Sequence, residues 1–122
     1  MPVSILVVDD SPIARKMLIR ALPENWDVEI AQAATGAEAL SAYRSGKVDV
    51  MFLDLTMPEM DGYEVLETLR QEGLNCLVIV VSADVQPQAQ ERVLKLGAIS
   101  FIKKPVDAQK VEAVLKQYGI AV

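Results

Sequence analysis

Short apolar runs alternate along the chain with stretches in which apolar residues recur every three or four positions. An apolar run of four or five residues is typical of a buried strand, and the three-to-four spacing is typical of a helix with one buried face. Their regular alternation predicts βα units on a parallel sheet. The predicted strands are 4–9, 28–33, 50–54, 77–82 and 99–103, and the predicted helices are 12–22, 36–46, 63–73, 86–97 and 107–118.

The strands differ in polarity, and this difference predicts their places in the sheet. The runs 5–8 and 77–81 are continuously apolar, which favours interior strands, whereas residues 27–30 alternate polar and apolar and favour an edge. The order 2-1-3-4-5 satisfies both patterns, and the predicted fold is therefore a doubly wound, five-stranded flavodoxin-like (βα)5 domain. In that order strands one and three are neighbours and the winding reverses between them, which predicts a crevice at their carboxyl ends.

Predicted helices one and five each carry a clear apolar stripe on one side. We expect both stripes to be core rather than binding surface. Gly46 and Gly97 follow predicted helices and are expected to form left-handed C-terminal caps. The residues of the two stripes are Ile13, Met17, Leu18 and Ala21 in helix one, and Val111, Leu115 and Tyr118 in helix five.

The length of 122 residues fits one domain, 1–122, that is large enough to bury a core. Apolar residues make up 52% of the chain, but no uninterrupted run approaches the roughly 20 residues that span a bilayer, so no membrane insertion is expected. Residues 1–4 lack the features of a secretory signal, which predicts a cytoplasmic protein. Cys76 is the single cysteine, so no internal disulfide is possible.

Charge and histidine content narrow the function classes. The formal net charge is −5, which argues against electrostatic binding to nucleic acid or to an anionic membrane. Histidine is absent, and this removes His-activated nucleophiles and histidine metal sites. An acidic chain of this kind is expected to act through other partners.

Acidic residues close two of the predicted interior strands. Asp9 and Asp10 follow the run 5–8, and Asp54 follows the run 50–53. Three carboxylates meeting from adjacent strand ends would repel one another without a hard cation, and an oxygen-rich site suits Mg²⁺ best. The simpler interpretation of residues 9–12 is a helix start, with Asp10 or Ser11 as N-cap, but capping accounts for only one of the two acids.

Two further strand ends carry a hydroxyl and an ammonium. Ser82 closes the run 77–81, and Lys104 follows strand five. Taken alone, a strand-end serine and a solvated lysine need no function. Beside a carboxylate and a metal they complement a doubly charged phosphoryl group, which predicts phosphoryl transfer to Asp54.

The segments 5–11, 53–62, 81–83 and 101–105 together resemble the receiver domain of two-component response regulators, and are most similar to the single-domain chemotaxis (CheY-like) type. The resemblance covers the whole chain. It implies that Asp54 is the phosphoacceptor and that Asp9 and Asp10 hold Mg²⁺ together with the backbone carbonyl of Thr56. It also implies that Ser82 and Lys104 contact the phosphoryl oxygens.

The resemblance further implies a switch and a set of partners. On phosphorylation Ser82 would move toward the phosphoryl group and Phe101, at a position where tyrosine is common, would turn inward. The altered surface would span helix four, strand five and helix five. The phosphodonor would be a sensor histidine kinase or a phosphotransfer protein, and an unidentified downstream protein would receive the signal. Thr56 and Asp84 lie where the family tunes acyl-phosphate lifetime, and the peptide before Pro105 is expected to be cis.

Three other functions are alternatives to phosphoryl transfer to Asp54. A phosphatase or phosphotransferase with an aspartate nucleophile would need a second aspartate at position 56, where this chain has Thr56. Flavin binding is disfavoured because Asp9 and Asp10 would repel its phosphate. A receiver-like interaction module that works without phosphorylation stays open. The preferred prediction is a self-modifying phosphoacceptor that turns over no external product, and therefore not a conventional enzyme.

Overall fold

The computed structural model describes residues 2–83 and 86–120, in which five strands alternate with five helices as the sequence predicts. The strands are β1 Val3–Val8, β2 Val28–Ala33, β3 Val50–Asp54, β4 Leu77–Ser82 and β5 Ser100–Lys103. The helices are α1 Pro12–Ala21, α2 Gly36–Arg44, α3 Gly62–Gln71, α4 Pro87–Lys95 and α5 Ala108–Gln117. Within those described ranges no helix is both long and apolar enough to cross a membrane.

The five strands form one parallel sheet in the order β2-β1-β3-β4-β5, which confirms the predicted fold class. Val8 of β1 pairs with Leu53 of β3, and Asp54 pairs with Val81 of β4. This register brings the carboxyl ends of the three central strands to nearly the same level. β2 lies at an edge and is largely exposed, whereas every residue of β3 is buried.

Two apolar cores lie on opposite faces of the sheet. Side chains alternate between faces along a strand, so Met51 and Leu53 of β3 join one core while Val50 and Phe52 join the other. The first core packs beneath α2, α3 and α4, and the second packs beneath α1 and α5. Each central strand is thus covered on both sides, which explains why its sequence is continuously apolar.

The apolar stripes of α1 and α5 are only partly core: the sequence prediction is confirmed for four of the seven residues and is wrong for Ile13, Met17 and Tyr118. In α1, Leu18 and Ala21 are buried, but Ile13 is 72% exposed and Met17 is 46% exposed. The first turns of α1 lie at the carboxyl edge of the sheet, where little strand surface is available to cover them. In α5, Val111 and Leu115 are buried as predicted, whereas Tyr118 is 44% exposed because it is the C-cap residue, beyond the helix.

The helices end one or two residues earlier than predicted, and their caps explain the difference. α2 ends at Arg44 and α4 at Lys95, with Gly46 and Gly97 two residues later in left-handed conformation (φ +79° and +112°). A glycine at this position closes the last turn from outside the helix. The prediction that both glycines are caps is confirmed, but they lie beyond the last helical residue.

Candidate functional site

The carboxyl ends of four adjacent strands bring polar side chains together at one edge of the sheet. Asp54 ends β3 and Ser82 ends β4, while Asp9 follows β1 and Lys104 follows β5. Asp9, Asp54 and Ser82 are all buried, at 6%, 5% and 1% exposure. Buried polar groups at strand ends in an α/β sheet are where ligands and chemistry are expected.

Three carboxylates form the acidic part of this site. Asp9, Asp10 and Asp54 each offer one oxygen, and the three oxygens lie within 4.8 Å of one another. Asp9 and Asp54 are buried and Asp10 is exposed, so the cluster opens to solvent on one side. All the donors are hard oxygens at a spacing that one cation can bridge, which is the donor set that Mg²⁺ prefers. These residues therefore fit the predicted magnesium site.

Lys104 joins the two buried carboxylates. Its Nζ donates to Asp9 Oδ2 at 2.9 Å and to Asp54 Oδ1 at 3.3 Å. The Lys104 backbone N–H donates to the carbonyl of Ser82 at 2.9 Å. The peptide bond between Lys104 and Pro105 is cis, as the resemblance to receiver domains implied. The lysine is thus fixed at its backbone by β4 and at its ammonium by the acids.

Burial and neighbouring charges together set the pKa values of Asp54 and Lys104. Burial raises the pKa of Asp54 most, the neighbouring Asp9 carboxylate raises it further, and the Lys104 ammonium offsets part of the rise. Burial acts to lower the pKa of Lys104, but hydrogen bonds and charges from Asp9 and Asp54 outweigh it, so the net direction is upward. One ammonium therefore does not fully compensate the buried acids, and an added cation would be favourable.

The loop after β1 is shaped by a helix cap. Ser11 is the N-cap of α1, its side chain accepts from the Ala14 N–H at 3.2 Å, and Pro12 is the first helical residue. Of the two capping residues that the sequence allowed, the structure uses Ser11. The Ser11 N–H also donates to Asp9 Oδ1 at 2.9 Å, so the same turn fixes the Asp9 carboxylate.

The loop after β3 is held by Asp61 and Gly62, the turn residues that were expected to be structural. Asp61 is the N-cap of α3 and accepts from the Glu64 N–H at 3.0 Å. The Gly62 N–H donates to the Leu55 carbonyl at 3.0 Å, and a Cβ at Gly62 would lie 2.5 Å from the Asp54 carbonyl oxygen. Only glycine allows α3 to begin this close to the acidic strand end.

Three other residues were predicted to belong to the site: Thr56, Phe101 and Asp84. Thr56 is exposed, and its backbone N–H acts to lower the pKa of the Asp54 carboxyl. The metal-binding role of the Thr56 carbonyl stays a prediction. Phe101 is half-buried on β5 against the core under α4. Asp84 lies outside the described residues, so its role in acyl-phosphate lifetime also stays a prediction.

One contact at the site was not anticipated from the sequence. Arg15 Nη1 donates to the carbonyl of Asp9 at 2.7 Å, and its Nε donates to Gln32 Oε1 at 2.9 Å. The arginine thereby links the acidic loop to the end of β2. Helical spacing puts Arg15 one turn after the Ser11 cap and could have suggested this orientation, but no local pattern identifies Gln32 as the partner.

Comparisons with known proteins agree with this geometry. Residues 5–116 match the family model described as "Response regulator receiver domain". The chemotaxis protein CheY of Bacillus subtilis (strain 168) is 36% identical over 92% of this chain and 94% of its own length. A solved structure of the CheX-CheY-BeF3-Mg+2 complex from Borrelia burgdorferi matches 97% of this chain and 90% of that chain, with a TM-score of 0.87 and 34% identity.

Longer proteins contain a similar segment. The protein-glutamate methylesterase/protein-glutamine glutaminase 2 of Koribacter versatilis (strain Ellin345) is 42% identical over 85% of this chain, but the chain spans only 29% of that protein. The likeness therefore concerns the receiver segment and not the activity of the longer protein. With a family model over nearly the whole chain and a relative matched end to end, this chain belongs to the response regulator receiver domain family.

Proposed function

We propose that this chain is a Mg²⁺-dependent switch in which Asp54 accepts a phosphoryl group from a phosphohistidine. Receiver domains act as phosphorylation-dependent signalling switches, and membership of that family supports the general role. The observation that carries the specific proposal is the convergence of the Asp9, Asp10 and Asp54 carboxylates with the Lys104 ammonium at one strand edge. The phosphodonor is a sensor histidine kinase or a phosphotransfer protein.

In the proposed reaction an Asp54 carboxylate oxygen forms a bond to phosphorus while the phosphorus–nitrogen bond of the donor breaks, and the electron pair stays on the departing imidazole. Mg²⁺, when bound by Asp9, Asp10 and Asp54, supplies positive charge that offsets the charge on the transferred oxygens. Lys104 is within 3.3 Å of Asp54 and would exchange its contact with that carboxylate for one with the new phosphoryl oxygen. The buried Ser82 hydroxyl would donate to another.

The proposed output follows from the same strand ends. Ser82 closes β4 and precedes α4, so a shift of Ser82 toward the phosphoryl group would alter the start of that helix. Phe101 lies on the neighbouring strand, and its half-buried ring would turn further inward. The surface of α4, β5 and α5 would then dock onto a downstream protein, in keeping with the general mode of phosphorylation switches.

The whole chain, 1–122, is proposed to be one receiver domain whose product is its own modified state. Its match to CheY of Bacillus subtilis over 94% of that protein supports a protein-docking output and makes chemotaxis the first pathway to test. Thr56 and Asp84 are proposed to set the lifetime of the acyl phosphate. No nucleic acid partner is proposed for a chain with net charge −5.

Intact-mass analysis after incubation with acetyl phosphate tests this function. The wild type should gain one phosphoryl group only when Mg²⁺ is present, and removal of the metal by a chelator should abolish the gain. The Asp54→Asn variant should gain none under any condition. Asp27→Asn, which changes an exposed aspartate at the opposite end of the sheet, should behave like the wild type.

A wild-type protein that forms no adduct under rapid quenching would contradict the proposal. The remaining candidate would then be an interaction module that keeps the receiver fold but signals without phosphorylation. Capture of partners by the unmodified protein would become the decisive measurement. A phosphoryl adduct that persists in Asp54→Asn would instead move the acceptor to another residue.

A further inference from the structure

An apolar cavity of about 360 Å³ opens beside the acidic strand ends. It lies between α1 and the carboxyl ends of the central strands, with Ala14, Met17 and Leu18 on the helix side and Phe52 and Val81 on the sheet side. Phe52, Val81 and Leu18 are buried core residues that also line this recess. Its walls can thus take apolar atoms out of water without any rearrangement of the core.

The polar part of the lining is confined to three charged residues. Asp9, Asp54 and Lys104 border the same cavity, so two carboxylates face one ammonium and the lining carries one net negative charge. Each carboxylate keeps acceptor capacity, because a carboxylate has about four lone-pair positions. Asp54 accepts from Lys104, and Asp9 accepts from Lys104 and from the Ser11 N–H. The recess therefore favours a cationic N–H donor at one end.

We propose that this recess binds a small amphipathic monocation, such as an aryl amidine or aryl amine. The apolar body would occupy the space between Ala14 and Val81, and the cationic head would donate to Asp9 and Asp54. The volume is at the lower end of the range in which proteins enclose small organic ligands, roughly 300–1,000 Å³. Charge and shape thus select one chemical class, and they disfavour anions and long chains.

Occupancy of the recess would compete with a divalent cation for the same two carboxylates. Binding of the organic cation and binding of Mg²⁺ should therefore weaken each other by the same factor. Suppression of Asp54 phosphorylation by such a ligand follows only if the proposed function holds. Binding itself needs no phosphoryl chemistry, so the two proposals can fail separately.

Three matched probes test the site in metal-free protein by isothermal titration and amide NMR. Benzamidine carries both features, benzamide has the same shape without charge, and acetamidine has the charge without the ring. Benzamidine should bind about tenfold or more tightly than either comparator, because both ring burial and the charged contact contribute. Amide shifts should centre on Ala14, Val81 and Val106, which border the cavity.

Two variants and one competition complete the test. Ala14→Leu fills the cavity with a good helix former and should remove most of the benzamidine affinity. Ala113→Leu makes the same change on the exposed face of α5 and should leave the affinity unchanged. Saturating Mg²⁺ should weaken benzamidine binding.

Several results would overturn the proposal. Equal affinity for benzamide would show that charge is irrelevant, and equal affinity for acetamidine would show that the cavity is irrelevant. Unchanged benzamidine binding in Ala14→Leu would place the ligand elsewhere. If none of the probes binds, the recess admits at most a side chain of a docking protein and not a small ligand.

Discussion

Helix α3 follows the strand that ends in Asp54, and α4 follows the strand that ends in Ser82, but the first turns of the two helices are held differently. α3 starts with a side-chain cap from Asp61, a backbone hydrogen bond from Gly62 to Leu55, and a glycine contact too close for any side chain. α4 starts at Pro87 after Gln86, whose side chain makes no capping hydrogen bond. α1, α2 and α5 resemble α3 in having side-chain caps.

The difference indicates a fixed side and an adjustable side of the site. α3 is attached to the strand that carries Asp54, so the acidic cluster is kept in place. α4 follows the strand that ends in Ser82, and its first turn lacks the cap that gives about 1 kcal/mol of stability to such a helix start. The proposed switch would need this combination, because the acidic cluster would stay in place while α4 shifts.

The largest effect is expected from a side chain at Gly62, where α3 begins against the backbone of Asp54 and Leu55. In Gly62→Ala the new methyl group would overlap the backbone of Asp54 and Leu55, and we expect a loss of about 1–3 kcal/mol in the free energy of unfolding. Urea denaturation followed by the fluorescence of buried Trp26 measures it.

Gly36→Ala is the matched control, because Gly36 is also the first residue of a helix. There the three atoms nearest to the methyl group would all belong to the flexible side chain of Met60 and not to the backbone, so the loss should be smaller, below about 1 kcal/mol. Equal losses at the two glycines would contradict a special attachment of α3 to the acidic strand.

Removal of the α3 cap should have the next largest effect. Asp61→Ala deletes the acceptor of the Glu64 N–H and should lower the free energy of unfolding by about 1 kcal/mol. Asp61→Asn keeps an acceptor and should restore most of the loss. If alanine and asparagine are equally tolerated, the first turn of α3 does not depend on its cap.

Addition of a cap to α4 should stabilise the protein. Gln86→Asp places a short carboxylate at the N-cap and should raise the free energy of unfolding by about 0.5–1 kcal/mol. Gln88→Asp introduces the same charge two residues later, inside the first turn, where the side chain cannot act as N-cap, and it should stabilise the protein less. A null or negative result for Gln86→Asp would mean that this helix start is already satisfied by other means.

The smallest effect is expected at the contact between the two helices. Arg92 of α4 stacks on the ring of Tyr63 of α3 at 4.0 Å from its centroid and pairs with Glu67 at 3.4 Å. Both charged groups are about half exposed, so a double-mutant cycle of Arg92→Gln with Tyr63→Leu should yield a coupling of about 0.5 kcal/mol. A coupling several times larger would mean that α4 is held as firmly as α3.

Local patterns in the sequence predicted the order of the strands in the sheet. They also predicted that Asp9, Asp54, Ser82 and Lys104 lie at one edge, because strand ends can be identified from the residues alone. Two kinds of structural feature could not be predicted from the sequence. A helical stripe shows that a face is apolar but not what lies opposite it, so the exposure of Ile13 was missed. Contacts between side chains far apart in the chain, such as that of Arg15 with Gln32, leave no local signal.

The ion pair between Lys104 and Asp9 joins residues 95 positions apart in a chain of 122 residues. Such a contact forms only after every intervening strand has been added, and proteins are synthesised from the amino terminus at a finite rate. A nascent chain that has emerged only as far as β4 would carry the acids without their compensating ammonium. Charge balance at this edge is therefore complete only when the whole domain has folded, so partly made chains are expected to lack the complete site in which we propose that Asp54 is phosphorylated.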